Sequence, residues 1–305
     1  MKKYAILDIG TNSIKFFLNS VEDGKATKII DTNNISRLGE GLQKTGKISE
    51  EAMKRNIDSL STFVKIAKEN EVAEIAAVGT MCLRTATNSK EFVDRVKNEL
   101  GLTIEIIDGE EEARLSYLAV LSTIGNTDKN VVVFDTGGGS TEFIFGKGKE
   151  LLNRKSLNIG AIQPTEKFLN SNPVTNAELK QMLAYIKIFF EEHELEKNAD
   201  YLIGIGGTVT SMGAVMHKME KYDPNRIQGS SMSKVEVERQ LKMYQSKTIE
   251  ERKKIIGLQP KRADVILAGA GIVKSILEYF SLKKFTLSDS GLRHGLLFDR
   301  FLKRG

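Results

Sequence analysis

Residues 131–142 read Val-Val-Val-Phe-Asp-Thr-Gly-Gly-Gly-Ser-Thr-Glu. The apolar run Val131–Phe134 predicts a buried strand, and Glu142–Phe145 predicts a second strand directly after the turn. Three consecutive glycines leave backbone N–H groups open to a large anion, and the hydroxyls of Ser140 and Thr141 add further donors. A tight hairpin turn needs only one or two glycines. The third one therefore favours a phosphate-binding loop over a simple turn.

The same pattern opens the chain. Tyr4–Leu7 predicts a strand, Asp8-Ile9-Gly10-Thr11-Asn12-Ser13 a polar turn, and Ile14–Leu18 a resumed strand. Two copies of one unit indicate an internal duplication. The polar turn 125–128 is the predicted boundary, so residues 1–125 and 126–288 form the two predicted domains. A last amphipathic helix, within 289–305, is expected to pack back on the first domain.

The rest of the chain alternates between strand and helix patterns. Apolar residues at helical spacing predict a helix over Ile48–Asn70 with Ser49 as its N-cap. A later strand, Tyr201–Ile205, runs into a third glycine-rich turn, Gly206-Gly207-Thr208. This alternation predicts an α/β fold. The third turn is weak evidence alone, but beside the other two it is expected to line the same site.

Carboxylates stand beside both predicted phosphate loops. Asp8 and Asp135 follow equivalent strands, and they would repel a phosphate unless a cation lay between. The simplest interpretation is that the two carboxylates hold Mg²⁺ or its waters. The alternative is that each aspartate caps its own turn by an Asx-type hydrogen bond. The run Glu110-Glu111-Glu112 opens a predicted helix, where acidic residues are favoured by the helix dipole. Local evidence does not select a catalytic residue among these three.

Composition narrows the class of protein only a little. The 305 residues carry a net charge of +5 and one cysteine, Cys82, which rules out an intrachain disulfide. The charge would suit any polyanion, including nucleic acid, anionic lipid or a phosphate chain. Basic residues at 253, 254, 261 and 262 form either a track for such a chain or an ordinary solvated helix face. No stretch has the length of a membrane span, and the protein is expected to be cytoplasmic.

Five motifs together resemble those of the exopolyphosphatase/guanosine pentaphosphate phosphohydrolase (Ppx/GppA) family, in order along nearly the whole chain. They are Asp8-Ile9-Gly10-Thr11-Asn12-Ser13, Gly79-Thr80 with Leu83-Arg84, Glu111-Glu112-Ala113-Arg114, Asp135 with Gly137 to Glu142, and Leu287-Ser288-Asp289 with Leu292-Arg293. The resemblance implies two ribonuclease-H-like domains around a central cleft, as in the actin, sugar-kinase and heat-shock-ATPase superfamily. It also implies a phosphoanhydride hydrolase acting on inorganic polyphosphate or on guanosine pentaphosphate (pppGpp).

The resemblance implies roles for individual residues. Glu112 is the expected catalytic carboxylate that positions or deprotonates water, with Arg114 a structural partner beside it. Asp8, Asp135 and Glu142 are expected at Mg²⁺, for which Mn²⁺ is a substitute, and Asp135 is also expected to be catalytic. The expected phosphate-binding residues are Asn12, Ser13, Thr80, Arg84, Gly137, Gly138, Gly139, Ser140, Gly206, Gly207 and Thr208. Neither nucleic acid nor a membrane is an expected partner, and a homodimer is one candidate assembly.

Two residues depart from the family's pattern. Gln228 stands where a His is common, and His294 where Glu usually follows Arg293. Longer relatives also carry a C-terminal helical region, to which processive action on long chains is attributed. The alternatives left open are a kinase of the same superfamily and a non-catalytic sensor of polyphosphate or nucleotide. The scattered histidines 193, 217 and 294 have no metal-ligand spacing, and they give no support to a Ser/His/acid mechanism.

Overall fold

The computed structural model describes residues 1–11, 13–124 and 128–302. Asn12, most of the predicted boundary turn (125–127) and the end of the last predicted helix (303–305) lie outside the described residues. The chain divides into two units. Unit 1 comprises Met1–Ala119 and the segment from Leu292 onward, and unit 2 comprises Val120–Gly291.

The described strands and helices alternate along the chain. The strands are β1 (Lys2–Ile9), β2 (Ile14–Glu22), β3 (Lys25–Asn34), β4 (Glu74–Gly79), β5 (Ile104–Ile106), β6 (Asn130–Thr136), β7 (Thr141–Lys147), β8 (Glu150–Leu157), β9 (Tyr201–Ile205), β10 (Ser231–Ser233) and β11 (Lys284–Leu287). The helices are α1 (Leu42–Thr45), α2 (Glu50–Glu69), α3 (Met81–Thr85), α4 (Ser89–Leu100), α5 (Gly109–Ile124), α6 (Ile162–Phe168), α7 (Asn176–Glu192), α8 (Gly206–Met216), α9 (Pro224–Ile227), α10 (Lys234–Gln245), α11 (Ile249–Arg252), α12 (Ile266–Tyr279) and α13 (Leu292–Leu297). A short 3-10 turn covers Pro260–Arg262, and a π-turn covers Phe298–Leu302.

The two units share one sheet topology. In unit 1 the strand order is β3-β2-β1-β4-β5, with β1, β2 and β3 antiparallel and β1, β4 and β5 parallel. In unit 2 the order β8-β7-β6-β9-β11 repeats this arrangement, and β10 adds one antiparallel strand at the edge. This is the ribonuclease-H-like order, so the predicted α/β fold class is confirmed.

Local signals in the sequence set several element ends. The Ser49 side chain accepts a hydrogen bond from the Ala52 amide at 3.2 Å and caps α2 as predicted. Gly101 ends α4 with φ of 67°, a left-handed conformation that favours glycine. The edge strand β3 was missed because it is mostly exposed and polar, so it shows no apolar alternation. The predicted start of the last helix at Asp289 was wrong, because residues 288–290 form a bonded loop and the helix begins at Leu292.

Each unit has its own buried core. In unit 1, α2 and α4 cover one sheet face, and the other face packs against α5 and α13 through Ile6, Phe17, Leu115 and Leu296. A Cβ placed on Gly295 would lie 1.9 Å from the Leu115 carbonyl oxygen, so glycine permits α13 to approach α5. In unit 2, α7, α8 and α12 bury a continuous core with the sheet. Within the described ranges, every helix is too short or too polar to cross a membrane.

Candidate active site

The Gly-rich loop of unit 2, residues 137–140, is a turn in which three of the four carbonyl groups are hydrogen-bonded and three of the four amides are open. The Gly137 amide donates to the Ser140 carbonyl at 2.9 Å, while the carbonyls of Gly137 and Gly138 accept from the amides of 161 and 162 at 2.9 and 2.8 Å. In the part of the chain that the structure describes, the amides of Gly138, Gly139 and Ser140 have no hydrogen-bond partner. Successive unbonded N–H groups in a turn form a concavity that binds anions. This local geometry is what the three glycines predicted.

Neighbouring backbone packs against this loop so tightly that side chains are excluded. A Cβ on Gly160 would lie 2.3 Å from the Gly138 carbonyl oxygen, whereas a Cβ on Gly139 would meet no atom within 4 Å. The loop is therefore supported from the side of Gly160 and open at Gly139. The open side at Gly139 leaves room for an anion.

The turn Gly206–Thr208 lies directly beside Asp135. Gly206 has φ of 80°, and a Cβ built on it would lie 1.9 Å from Oδ1 of Asp135. The Thr208 hydroxyl donates to the Thr136 carbonyl at 2.7 Å and ties the N-terminus of α8 to the end of β6. The structure therefore brings the second and third predicted loops together within unit 2.

Arg262 is the residue that sequence reasoning misplaced. The sequence grouped it with Lys253, Lys254 and Lys261, either as a track for a polyanion or as a solvated helix face, but a Cβ on Gly207 would lie 2.0 Å from its Nη2 atom. Burial lowers the pKa of Arg262, and the nearby Asp135 carboxylate acts in the opposite direction. A guanidinium at the start of α8 adds a positive charge that can bind an anion. No local pattern in the sequence separates Arg262 from its basic neighbours.

Asp135 and Glu142 form the acidic pair of this half of the site. They are directly opposite in the β6–β7 register, so their side chains leave the same sheet face about 5 Å apart at Cβ. The Ser156 hydroxyl donates to Oε1 of Glu142 at 3.1 Å. Among the described residues, no group of three or more His, Cys, Asp or Glu residues could hold a metal ion. A pair of carboxylates still fits Mg²⁺, which keeps waters and binds through one or two carboxylates and substrate phosphates.

Asp8 occupies the matching position in unit 1, but its environment differs. It is buried at the end of β1, and Lys15, its partner on β2, donates to Oδ2 at 3.0 Å. A metal at Asp8 would have to share the carboxylate with this ammonium group. The turn that follows is closed by a bond from the Gly10 amide to the Ser13 carbonyl at 3.0 Å. Ser13 thus lies in the turn as predicted, and its role at phosphate stays a prediction.

Arg84 and Glu112 are joined in unit 1. Nη1 of Arg84 donates to Oε2 of Glu112 and to the Ile107 carbonyl, both at 2.8 Å. No hydrogen-bond partner of Nε or Nη2 of Arg84 is found within residues 1–11, 13–124 and 128–302. The guanidinium therefore orients Glu112 with one nitrogen and leaves two others for an anion. Thr80 is buried nearby along the chain and makes no side-chain cap of α3.

Glu110, Glu111 and Glu112 have different surroundings in the structure, although the local sequence pattern does not tell them apart. Glu111 receives two bonds from Arg114, at 2.7 and 2.8 Å, and these lower its pKa. Arg114 also donates to Asp299 at 3.1 Å. The expectation that Arg114 lies beside Glu112 was therefore wrong: it holds Glu111 to the C-terminal segment. Glu112 instead faces Arg84, and Glu110 is exposed.

Gln228 and His294, the two residues that depart from the family's pattern, both make defined contacts in the structure. Oε1 of Gln228 accepts from the Asp289 and Ser290 amides at 2.8 and 3.2 Å, and from the Ser288 hydroxyl at 3.3 Å. An amide oxygen can serve several donors, so Gln228 anchors this loop. The ring of His294 lies 4.6 Å from that of Phe17, and burial with nearby cations sets its pKa well below the usual range.

A family model for the Ppx/GppA phosphatase family matches residues 18–304. The chain belongs to the Ppx/GppA phosphatase family. A guanosine-5'-triphosphate,3'-diphosphate pyrophosphatase of Photobacterium profundum is 30% identical over 98% of this chain and 59% of that protein. The chain spans about half the length of the curated relatives it matches.

Solved structures of Ppx/GppA proteins match the whole chain. A family member from Aquifex aeolicus is 34% identical with a TM-score of 0.89, covering 100% of this chain and 99% of that one. An exopolyphosphatase from Cytophaga hutchinsonii is 28% identical with a TM-score of 0.85, covering 99% and 98%. The predicted family is confirmed.

Proposed function

We propose that this protein hydrolyses the terminal phosphoanhydride bond of inorganic polyphosphate, with pppGpp as the alternative substrate. The observation that supports this most directly is the Gly-rich loop, whose amides at 138–140 have no partner among the described residues while the carbonyls of Gly137, Gly138 and Ser140 are bonded. Arg262 lies near Asp135 and the first turn of α8. Such a loop binds the oxygens of a phosphate group, whatever the rest of the substrate is.

In the proposed mechanism, Glu112 orients or deprotonates the attacking water, and Arg84 holds that carboxylate in place. Within unit 2, the amides of residues 138–140 and the guanidinium of Arg262 stabilise charge that develops on phosphoryl oxygens. Within unit 1, the two Arg84 nitrogens that have no partner in the described part of the chain are proposed phosphate donors. Asp135 and Glu142 would hold Mg²⁺, which neutralises phosphate charge when it is bound. Asp8, whose carboxylate pairs with Lys15 in unit 1, stays a proposed residue of the metal site. Asn12, Ser13, Thr80 and Thr208 complete the proposed phosphate contacts.

Both substrates have support. Relatives named as pppGpp pyrophosphatases favour the nucleotide, and the Cytophaga hutchinsonii exopolyphosphatase favours the polymer. Of the predicted basic track, Lys254 and Lys261 are exposed, and Lys253 is paired with Glu250 at 2.6 Å. A polymer that crosses such lysines would release counterions, so its binding should weaken steeply with salt. A cytoplasmic location and a homodimer also remain part of the proposal.

The test measures phosphate released from long polyphosphate, pppGpp and ATP, with and without Mg²⁺, at several salt concentrations. We expect release from one of the first two and no transfer to a second substrate, which separates a hydrolase from a kinase. Binding of both substrates without release by the intact protein would instead indicate a sensor and reject the proposal.

A triple variant, Lys253→Gln with Lys254→Gln and Lys261→Gln, distinguishes the two substrates. If polyphosphate is the substrate, the variant should have a shallower salt dependence and a higher KM for long chains only. Arg262 is left intact, because it belongs to the phosphate site itself. Equal salt slopes for both proteins would leave pppGpp as the substrate.

A further inference from the structure

Arg252 is a buried cation that makes no ion pair within the described residues. Its side chain is among the largest that are fully buried, at 2% exposure. Nε donates to the Tyr244 carbonyl at 2.6 Å and Nη1 to the Ala263 carbonyl at 3.4 Å, and Nη2 has no partner among the described residues. Burial accordingly lowers its pKa. The guanidinium is held by main-chain oxygens alone.

A buried arginine without an ion pair is not expected to stabilise a fold more than an apolar residue does. Removing a charge from water is costly, and apolar side chains of similar volume usually stabilise a buried position as well as a charged one does. Main-chain carbonyls repay part of that cost, and Tyr244 lies at the C-terminal end of α10, where carbonyls lack helical partners and the dipole favours a cation. A guanidinium differs from an apolar group in that it makes directional hydrogen bonds, and its planar donors fix the positions of the oxygen atoms that accept them.

One of the bonded atoms belongs to the residue that directly follows Arg262. The segment 253–263 follows Arg252, contains Arg262 and contacts α8 at two places. Near the C-terminal part of α8, a Cβ on Gly257 would lie 2.3 Å from the Ala214 carbonyl oxygen, and at its N-terminus Arg262 meets Gly207. Ala214 and Gly207 are about 10 Å apart along the helix. The second carbonyl that Arg252 bonds is that of Ala263, the residue directly after Arg262.

We propose that Arg252 is a positioning residue, which fixes the 253–263 segment so that the Arg262 guanidinium is held against Gly207 and Asp135 at the phosphate site. Gly257 sets one end of the segment by close packing, and Arg252 sets the other by its bond to Ala263. This role rests on the proposed function, since Arg262 acts on phosphate only in that proposal. The position of the segment itself does not depend on it.

The first measurement needs no substrate. Hydrogen exchange of peptides covering residues 256–265 is compared between the wild type and Arg252→Met, which keeps much of the side-chain volume and removes the donors. The amides of Arg262 and Ala263 donate within this turn at 2.9 and 3.3 Å, and we expect them to exchange at least several-fold faster in the variant. The matched control is Arg239→Met on α10, an exposed arginine paired with Glu236, which should leave the segment unchanged. Unchanged exchange in Arg252→Met would overturn the proposal.

The second measurement is a double-mutant cycle on kcat/KM with Arg252→Met and Arg262→Met. A misplacement of about 1 Å can cost on the order of 10²-fold, so Arg252→Met should lower kcat/KM substantially while Arg262 is present. In the Arg262→Met background the further loss should be less than about 3-fold, because residues that act through one another are not additive. Equal losses in both backgrounds would show a general structural role and refute the positioning role. If the wild type released no phosphate, the proposed function would fail while the exchange result would still decide where the segment lies.

Discussion

Glu112→Gln is the most direct test of the catalytic assignment, because the structure separates its effects on catalysis and on folding. Glutamine keeps the size of the side chain and retains an oxygen that can accept from Arg84. Only the charge and the basicity are lost. The ion pair with Arg84 is 26–34% exposed, so its loss should cost no more than about 1 kcal/mol of unfolding free energy.

The expected catalytic effect is much larger. Removal of a general base costs roughly 10²–10⁴-fold in kcat, which corresponds to about 2.7–5.4 kcal/mol of transition-state stabilisation. KM should change little, because the carboxylate acts on water. The assay is steady-state phosphate release, with urea unfolding of the same samples to measure stability.

Glu111→Gln is the matched control one residue away. Glu111 is held by Arg114 with two short bonds, so its variant should lose about 1 kcal/mol of stability and keep its kcat. The pKa of Glu111 is lowered in the fold, so the pair stabilises at neutral pH and this stabilisation is lost as the pH falls through the carboxyl range. At that low pH the wild type and Glu111→Gln should have equal unfolding free energies. A folded Glu112→Gln protein with wild-type turnover, or equal kcat losses in both variants, would refute the assignment.

Three other predictions follow from the described contacts. Excess EDTA should abolish hydrolysis and Mg²⁺ or Mn²⁺ should restore it, with Asp135→Ala needing far more metal; full activity in EDTA would exclude the metal from the mechanism. Gly206→Ala should destabilise by about 1–3 kcal/mol and reduce kcat, because its Cβ would lie 1.9 Å from Asp135 in a left-handed conformation, whereas Gly139→Ala, with no atom within 4 Å of its Cβ, should be near neutral in thermal unfolding. The Thr175 amide and hydroxyl, with further bonds from Ser171, lower the pKa of Glu178 to about 2. Glu178→Gln should therefore lower the Tm at pH 7 and have no effect below pH 2; a Tm difference that persists there would contradict this account.

The sequence by itself determined the duplicated strand–turn–strand unit, the α/β class and the family. These features are local: period-two apolar runs, glycines at turns and a serine cap act within a few residues of their own position. The strand Tyr201–Ile205 and the cap at Ser49 are therefore found where they were predicted. The polar edge strand β3 was missed for the same reason, since its pairing with β2 rather than its own pattern makes it a strand.

Tertiary structure alone decided which of the candidate residues face one another. The family motif singles out Glu112, but the local pattern does not separate it from Glu111, and only the positions of Arg84 and Arg114 give the two glutamates different partners. Arg262 is separated by more than 120 residues from Asp135, and only the tertiary fold brings the two side chains near each other. Ion pairs and steric exclusion depend on distances of a few ångströms between distant parts of the chain, and no local pattern of residues carries that information.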